Sequence, residues 1–236
     1  MSKTIAIFGA GPGLGISTAR RFGREGHQVA LIGRRPRALG TLISQLTEQG
    51  INAAAFSADL AQTSSVPHLI SEISVRFGGI DVVAYSPVST NSFIPATELT
   101  ADVMQSFLNL YLLTPIEVVR QVLPSMLENR YGAILMTLGS SAVHPSPFMS
   151  GVGPAMAAVR SYVHSLHGEV ADKGVYAGTL LVGALILDSA WHRELSSSEP
   201  GVLAGVPTVD PDLLATVLWD LFSVRDRIEA MLPLPG

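Results

Sequence analysis

The sequence contains no cysteine among its 236 residues. Disulfide bonds, thiolate catalysis and cysteine-ligated metal sites are therefore excluded. Charge is also sparse, because Asp, Glu, Lys and Arg together make up 14% of the chain and the net charge is −4. This acidic balance argues against a surface that binds nucleic acid or an acidic membrane.

Long apolar runs are missing as well. The longest apolar stretch, around Leu180–Leu187, is too short to span a bilayer. The first strand-like run begins almost at the start of the sequence, so we expect no signal peptide. His, Asp and Glu nowhere cluster at metal-ligand spacing on a helix, so we predict no metal site. We expect a cytoplasmic protein with no membrane contact.

What the chain does contain is apolar sequence, at 47% of residues, in short runs that alternate with helical patterns. Such alternation predicts a doubly wound α/β domain, in which a mostly parallel seven-stranded sheet carries helices on both faces. The length fits one domain over residues 1–236. The predicted strands are Thr4–Phe8, Gln28–Ile32, Asn52–Phe56, Asp81–Tyr85, Ala133–Thr137, Tyr176–Val182 and Ile228–Leu232.

Several boundaries are marked by particular residues. Thr100 is a candidate cap for a helix that continues through Met126. Pro115 lies inside that helix and predicts a kink. The one long irregular stretch, at residues 188–207, predicts a substrate lid, because long connections in compact domains are often functional.

A glycine-rich turn follows the first strand and opens directly into a helical pattern at Ile16–Arg24. It reads Gly9-Ala10-Gly11-Pro12-Gly13-Leu14-Gly15. Glycines permit a tight turn and let a pyrophosphate approach the backbone, while the helix N-terminus offers free N–H groups and partial positive charge. A plain structural loop is the alternative, but the strand before it and the helix after it favour dinucleotide binding.

The end of the second strand indicates which dinucleotide. An NAD site places a carboxylate here for the ribose 2′-hydroxyl, whereas this chain has Arg34 and Arg35. The planar guanidinium of Arg34 can bind a 2′-phosphate and stack on the adenine. The alternative is that Arg34, Arg35 and Arg37 form the solvated start of the next helix. We predict NADP(H).

With these features, the sequence resembles the short-chain dehydrogenase/reductase family over nearly the full length of the chain. The family's Thr-Gly-x-x-x-Gly-x-Gly is matched at Gly9, Gly13 and Gly15, with Phe8 in place of Thr. The resemblance implies an adenine contact at Asp59 in Ala58-Asp59-Leu60, although Asp59 could instead cap a helix. It also implies nicotinamide contacts at Gly183 and Ile186. The candidate cofactor residues are Gly9, Gly11, Pro12, Gly13, Leu14, Gly15, Arg34, Arg35, Ala58, Asp59, Leu60, Ser86, Pro87, Gly183 and Ile186.

Departures from the family pattern gather at the reaction centre. The Tyr-x-x-x-Lys pair falls at Val152 and Met156, and the catalytic serine falls at Gly139 or Ser140. The asparagine of the helix after Thr100 aligns with Tyr111. In the family, the tyrosine gives a proton to the carbonyl oxygen as hydride arrives, and the lysine lowers its pKa. Without a substitute acid, ketone reduction would slow by about 10²–10⁴-fold.

Three residues could take over the transfer of a proton. Ser140 stands at the end of the fifth strand, where ligands bind in this architecture. Tyr111 has a phenol, although packing is a common role for a tyrosine on a helix. His144 has an imidazole, a frequent general acid or base, but it could also belong to a surface turn.

Three functions are compatible with these residues. The first is an NADP(H)-dependent oxidoreductase with a non-classical active site, acting on a small hydrophobic carbonyl, enone or imine. The second is a non-redox cyclase or isomerase, and the third is a non-catalytic NADP(H)-binding protein. The family resemblance further implies a homodimer or homotetramer.

Overall fold

The computed structural model describes residues 2–89, 93–198 and 206–233. Seven strands form one sheet: β1 (Thr4–Phe8), β2 (Gln28–Gly33), β3 (Ala53–Ser57), β4 (Val82–Tyr85), β5 (Gly132–Gly139), β6 (Val175–Val182) and β9 (Glu229–Leu232). Their order is β3-β2-β1-β4-β5-β6-β9, and every pairing is parallel. The predicted doubly wound α/β fold is confirmed. The first predicted strand matches β1 at both ends, and the other six differ from the observed strands by one or two residues at an end.

Eight α-helices are described: α1 (Leu14–Arg24), α2 (Pro36–Glu48), α3 (Val66–Phe77), α4 (Ala101–Leu108), α5 (Thr114–Glu128), α6 (Val152–Val170), α7 (Ala190–Ser198) and α8 (Pro211–Val224). Side chains on β1 alternate between the two faces of the sheet, as the pleat requires. Ile5 and Ile7 join the apolar core under α1, α2 and α8. Ala6 and Phe8 join the core under α3, α5 and α6. Within the described ranges, no helix is both long enough and apolar enough to cross a membrane.

The chain reverses its winding direction between β1 and β4, which are neighbours in the sheet although β2 and β3 separate them in sequence. In open parallel sheets, ligands bind in the crevice outside the carboxyl ends of the strands at this reversal. The glycine-rich turn after β1 and the residues after β4 therefore meet at one edge.

The helix is distorted directly before Pro115, the residue at which the kink is predicted. Residues Asn109–Leu113 form a turn of π-helix between α4 and α5, and the Thr114 N–H donates to the Asn109 carbonyl. In this register the Leu110 carbonyl would pair with residue 115, but proline has no N–H. The Tyr85 hydroxyl donates to that carbonyl instead, at 2.5 Å. The predicted Thr100 cap is confirmed, since its side chain accepts from the Val103 N–H at 3.3 Å.

The stretch at residues 188–207 was expected to be irregular, but part of it is ordered into secondary structure. It contains the nine-residue helix α7. At the start of this helix, the Ser189 hydroxyl accepts from the backbone N–H of His192 at 3.0 Å. Two short strands, β7 (Leu185–Ile186) and β8 (Thr208–Val209), pair in parallel and close the segment at its base. Residues 199–205 of the predicted lid lie outside the described residues, and the role as a lid stays a prediction.

Candidate active site and cofactor cleft

The glycine-rich turn packs tightly where it leaves β1. Gly9 has a φ of +84°, and a Cβ added there would lie 2.5 Å from both the Cα and the N of Pro87. The N–H groups of Gly9 and Ala10 both donate to the Ile32 carbonyl, at 3.0 and 2.9 Å. The Ser86 N–H donates to the Phe8 carbonyl at 2.9 Å. The predicted residues after β4 thus form one wall of the turn.

The far end of the turn faces the segment after β6. A Cβ on Gly13 would lie 3.1 Å from the Cα and N of Ser189 and 3.2 Å from the Leu187 carbonyl oxygen. A Cβ on Gly15 would lie 2.9 Å from the Cα of Ala10. The chain after β7 therefore lies directly against the turn, a contact that no local sequence signal indicates.

Between these close contacts lies open space. Nothing is found within 4 Å of a Cβ built on Gly11. The helix α1 begins at Leu14 with Gly13 as its N-cap, and no side chain caps it. The first N–H groups of a helix have no partner within the helix. The Ile16 N–H donates to the Gly11 carbonyl at 3.0 Å, and the opening lies beside the N–H groups that precede it in the helix. Such an opening suits the pyrophosphate of a dinucleotide, so the residues present fit that cofactor.

At the carboxyl ends of β2 and β3, the predicted adenosine-binding residues come together. The Ala58 N–H donates to the Gly33 carbonyl at 3.0 Å, which joins the two strand ends. Arg34 and Arg35 are exposed, and within the described chain no carboxylate forms an ion pair with Arg34. Asp59 is exposed, and one carboxylate oxygen accepts from the Ala61 N–H at 3.0 Å. That contact closes a local turn. The N-cap positions of the next two helical segments are Gln62 and Ser65, so the alternative role of Asp59 as a helix cap is not seen.

Five other predicted cofactor residues lie in the core, in strand contacts or in the turn itself. Leu60 is buried, and its carbonyl accepts from the Thr114 hydroxyl at 2.7 Å. Gly183 donates its N–H to the Leu232 carbonyl at 2.8 Å, which ties the end of β6 to β9. Ile186 lies in β7 and pairs with Val209. Pro12 and Leu14 lie in the turn and at the start of α1, where Leu14 is buried.

The centre of the site is apolar. Val152 and Met156 are buried on the first turns of α6. The Met156 Sδ accepts from the Gly139 N–H at 3.1 Å, so the thioether lies over the end of β5. A side chain on Gly139 would begin 3.5 Å from the Ser141 Oγ and 3.6 Å from this sulfur. The Ser141 hydroxyl is buried and has no hydrogen-bond partner among the described residues.

The three candidates for proton transfer lie in different surroundings. Ser140 is partly exposed, and its Oγ lies 3.6 Å from a Cβ built on Gly183, at the edge where β5 and β6 end. Tyr111 is only 3% exposed, and its hydroxyl accepts from the Ser89 N–H at 2.8 Å. His144 is exposed, and its backbone N–H donates to the Ser140 carbonyl at 2.8 Å, as in a surface turn. All three catalytic assignments stay predictions.

Aromatic side chains form a rim beside this centre. The rings of Phe93, after β4, and Trp191, on α7, lie with centroids 5.4 Å apart. Ile94 joins the same loop to the one after β5, because its N–H donates to the Phe148 carbonyl at 2.6 Å. Phe93 and Phe148 are 56% and 59% exposed. Phe93, Phe148 and Trp191, the aromatic rim, thus present apolar surface from two loops and the helix α7. Among the described residues, no group of three His, Asp or Glu side chains could hold a metal ion.

A parallel sheet with this strand order and a glycine-rich turn at the reversal defines a Rossmann-type α/β protein. The chain belongs to the short chain dehydrogenase family, whose model matches residues 3–196.

Individual relatives are more distant. A short chain dehydrogenase of Pseudocercospora fijiensis is 25% identical over 184 residues, which are 78% of this chain and 60% of that protein. Serine 3-dehydrogenase of Agrobacterium fabrum is 26% identical over 224 residues, covering 93% of this chain and 88% of that protein. The structure is similar to L-sorbose reductase from Gluconobacter frateurii complexed with NADPH and L-sorbose. The TM-score is 0.87 at 22% identity, over 98% of this chain and 95% of that one.

Proposed function

We propose that this protein is an NADP(H)-dependent oxidoreductase with a non-classical active site. The observation that carries the proposal is the cleft at the sheet reversal. Gly11 opens onto free space, and α1 begins without a side-chain cap. Arg34 directly follows β2, and no carboxylate of the described residues forms an ion pair with it. The names of the similar proteins, which include a reductase complexed with NADPH, support the same cofactor.

The role of each part follows from its chemistry. The N–H groups at the start of α1 would hold the pyrophosphate, and the Arg34 guanidinium would hold the 2′-phosphate. Bound NADPH would supply a hydride. The Met156 thioether and the Val152 side chain line the centre without offering a proton or a charge. A substrate that needs no strong acid, such as an iminium ion, suits this centre best because its carbon accepts hydride without concurrent proton transfer.

A small hydrophobic substrate is favoured by the aromatic rim. Large exposed apolar side chains that gather from separate segments mark a binding surface more often than isolated ones do. The ring contact between Phe93 and Trp191 joins the segment after β4 to α7, so this segment and α7 would lie on either side of the substrate. A homodimer or homotetramer in the cytoplasm stays a prediction.

Cofactor choice is tested by Arg34→Asp, with Arg37→Asp as the matched control on the same exposed helix start. Charge-assisted hydrogen bonds contribute about 1.5–3 kcal/mol, so Arg34→Asp should weaken NADPH binding by about 10- to 100-fold. NADH, which has no 2′-phosphate, should lose far less. Fluorescence titration of both nucleotides with both variants measures this. Equal losses for NADPH and NADH, or equal losses in the two variants, would refute the assignment.

Turnover is tested by mixing the protein and NADPH with a panel of ketones, enones and cyclic imines. Absorbance at the nicotinamide band and product analysis are followed together. Oxidation of NADPH, fastest with the cyclic imines, is the expected result. Product formation without NADPH consumption would identify a non-redox cyclase or isomerase instead. Tight NADPH binding with no turnover across the panel would identify a non-catalytic binding protein.

A further inference from the structure

A second cavity lies away from the cofactor cleft, between α1 and α8. Its volume is about 470 Å³, and its walls include Arg20, Arg21 and Arg24 from α1 and Asp212 from α8. These arginines follow Gly13 by 7 to 11 residues. At 1.5 Å per helical residue, they lie roughly 10–16 Å along the helix from the glycine-rich turn. The cavity is therefore separate from the site proposed for the dinucleotide.

The charges in this wall are incompletely neutralised. Arg21 forms an ion pair with Glu25, and its guanidinium lies 4.8 Å from the ring centroid of Trp219. Among the described residues, Arg20 donates to one neutral acceptor, the Gln45 side chain, at 2.9 Å. Neither Arg20 nor Arg24 forms an ion pair with a carboxylate in the part of the chain described. The two are neighbours four residues apart on one helix face, where like charges repel.

Arg20 also has a hydrogen-bond donor without a partner among the described residues. Its Nε is buried and finds no hydrogen-bond acceptor among the described residues. A buried donor of this kind in a native protein is usually explained by a water molecule or an ion. The same Arg20 side chain lines the cavity.

We propose that this cavity binds a multiply charged phosphate anion. The planar guanidinium presents a fork of donors that matches phosphate oxygens, and an anion shared by Arg20 and Arg24 would relieve their repulsion. Asp212 is the one carboxylate in the wall, and it opposes the anion. Removal of its charge should therefore strengthen binding, whereas removal of the arginine charges should weaken it.

The test is calorimetric titration of the full chain with inorganic pyrophosphate at low ionic strength, where exposed charges act over the longest range. The double variant Arg20→Gln/Arg24→Gln should bind at least about tenfold more weakly, because two charge-assisted contacts are lost. Asp212→Asn should bind more tightly. Arg227→Gln, an exposed arginine outside the cavity, is the matched control and should bind as the unmodified protein does.

Pyrophosphate could also enter the glycine-rich turn, so each titration is repeated with saturating NADPH. The difference between the double variant and the control should persist whether or not NADPH is present. If the double variant does not fold, Arg24→Gln alone carries the test, because Arg24 is exposed. No binding by the unmodified protein, unchanged affinity in the arginine variants, or weaker binding by Asp212→Asn would overturn the proposal.

Discussion

Two glycines of the same turn should respond in opposite ways to alanine. At Gly9 the backbone is left-handed, and the new Cβ would lie 2.5 Å from two backbone atoms of Pro87. At Gly11 the new Cβ would meet nothing within 4 Å. Gly9→Ala should therefore destabilise the fold, whereas Gly11→Ala should leave the fold intact and obstruct the approach of the pyrophosphate to the backbone.

The magnitudes follow from the local geometry. A left-handed conformation costs a residue with a Cβ about 1–2 kcal/mol. Overpacking against atoms that cannot rotate away costs about 1–3 kcal/mol more. Gly9→Ala should thus lower the free energy of unfolding by about 2–5 kcal/mol, or the Tm by about 4–20 °C for a chain of this size. Gly11→Ala should change the free energy of unfolding by less than about 0.5 kcal/mol.

Urea denaturation and NADPH fluorescence titration, applied to both variants, separate the two effects. Gly11→Ala should bind NADPH at least about tenfold more weakly, because the close approach that glycine permits is lost. A Gly9→Ala protein as stable as the unmodified one would refute the packing argument. A Gly11→Ala protein that binds NADPH normally would show that the nucleotide does not lie in this open space.

Two further predictions concern the core beside the site. Tyr85→Phe removes the donor to the Leu110 carbonyl and should cost about 1 kcal/mol, seen as a fall in Tm of about 2–4 °C that Tyr131→Phe does not reproduce. Burial lowers the pKa of His27 from its ordinary 6.5, so the unfolded chain binds a proton more readily than the folded protein does. The free energy of unfolding should therefore not depend on His27 above pH 6.5 and should decrease as the pH falls below that value. His27→Phe should flatten this decline in urea denaturation between pH 7 and 5, and an unchanged slope would contradict the argument.

The fold could be predicted because its signals are local. Apolar strands such as Thr4–Phe8 and their glycine-rich connections lie within a few residues of one another in sequence. The turn at Gly9 is recognisable because a strand precedes it and a helix follows it. The position of the cofactor cleft could be predicted for the same reason, because the carboxyl ends of parallel strands meet at one edge whatever their side chains are.

The distortion near Tyr111 could not be predicted in the same way. Pro115 shows that a donor is missing, but a kink and a π-turn both accommodate that loss. In the structure the Leu110 carbonyl accepts from the Tyr85 hydroxyl, which belongs to a strand 25 residues earlier. The contact between Gly13 and Ser189 is of the same kind, because it joins segments that only the completed sheet brings together.

The proton donor is the part of the site that sequence spacing leaves least determined. Ser140, Tyr111 and His144 all map near the end of β5 or the wall beside it, yet spacing does not report which way a side chain faces. Tyr111 is buried with its hydroxyl engaged by Ser89, and His144 is exposed in a turn. Ser140 alone is partly exposed at the edge beside Gly183, where a substrate would lie. A serine hydroxyl can orient a substrate oxygen or nitrogen, but it is a weak acid, so its position favours a substrate that accepts hydride without a strong proton donor.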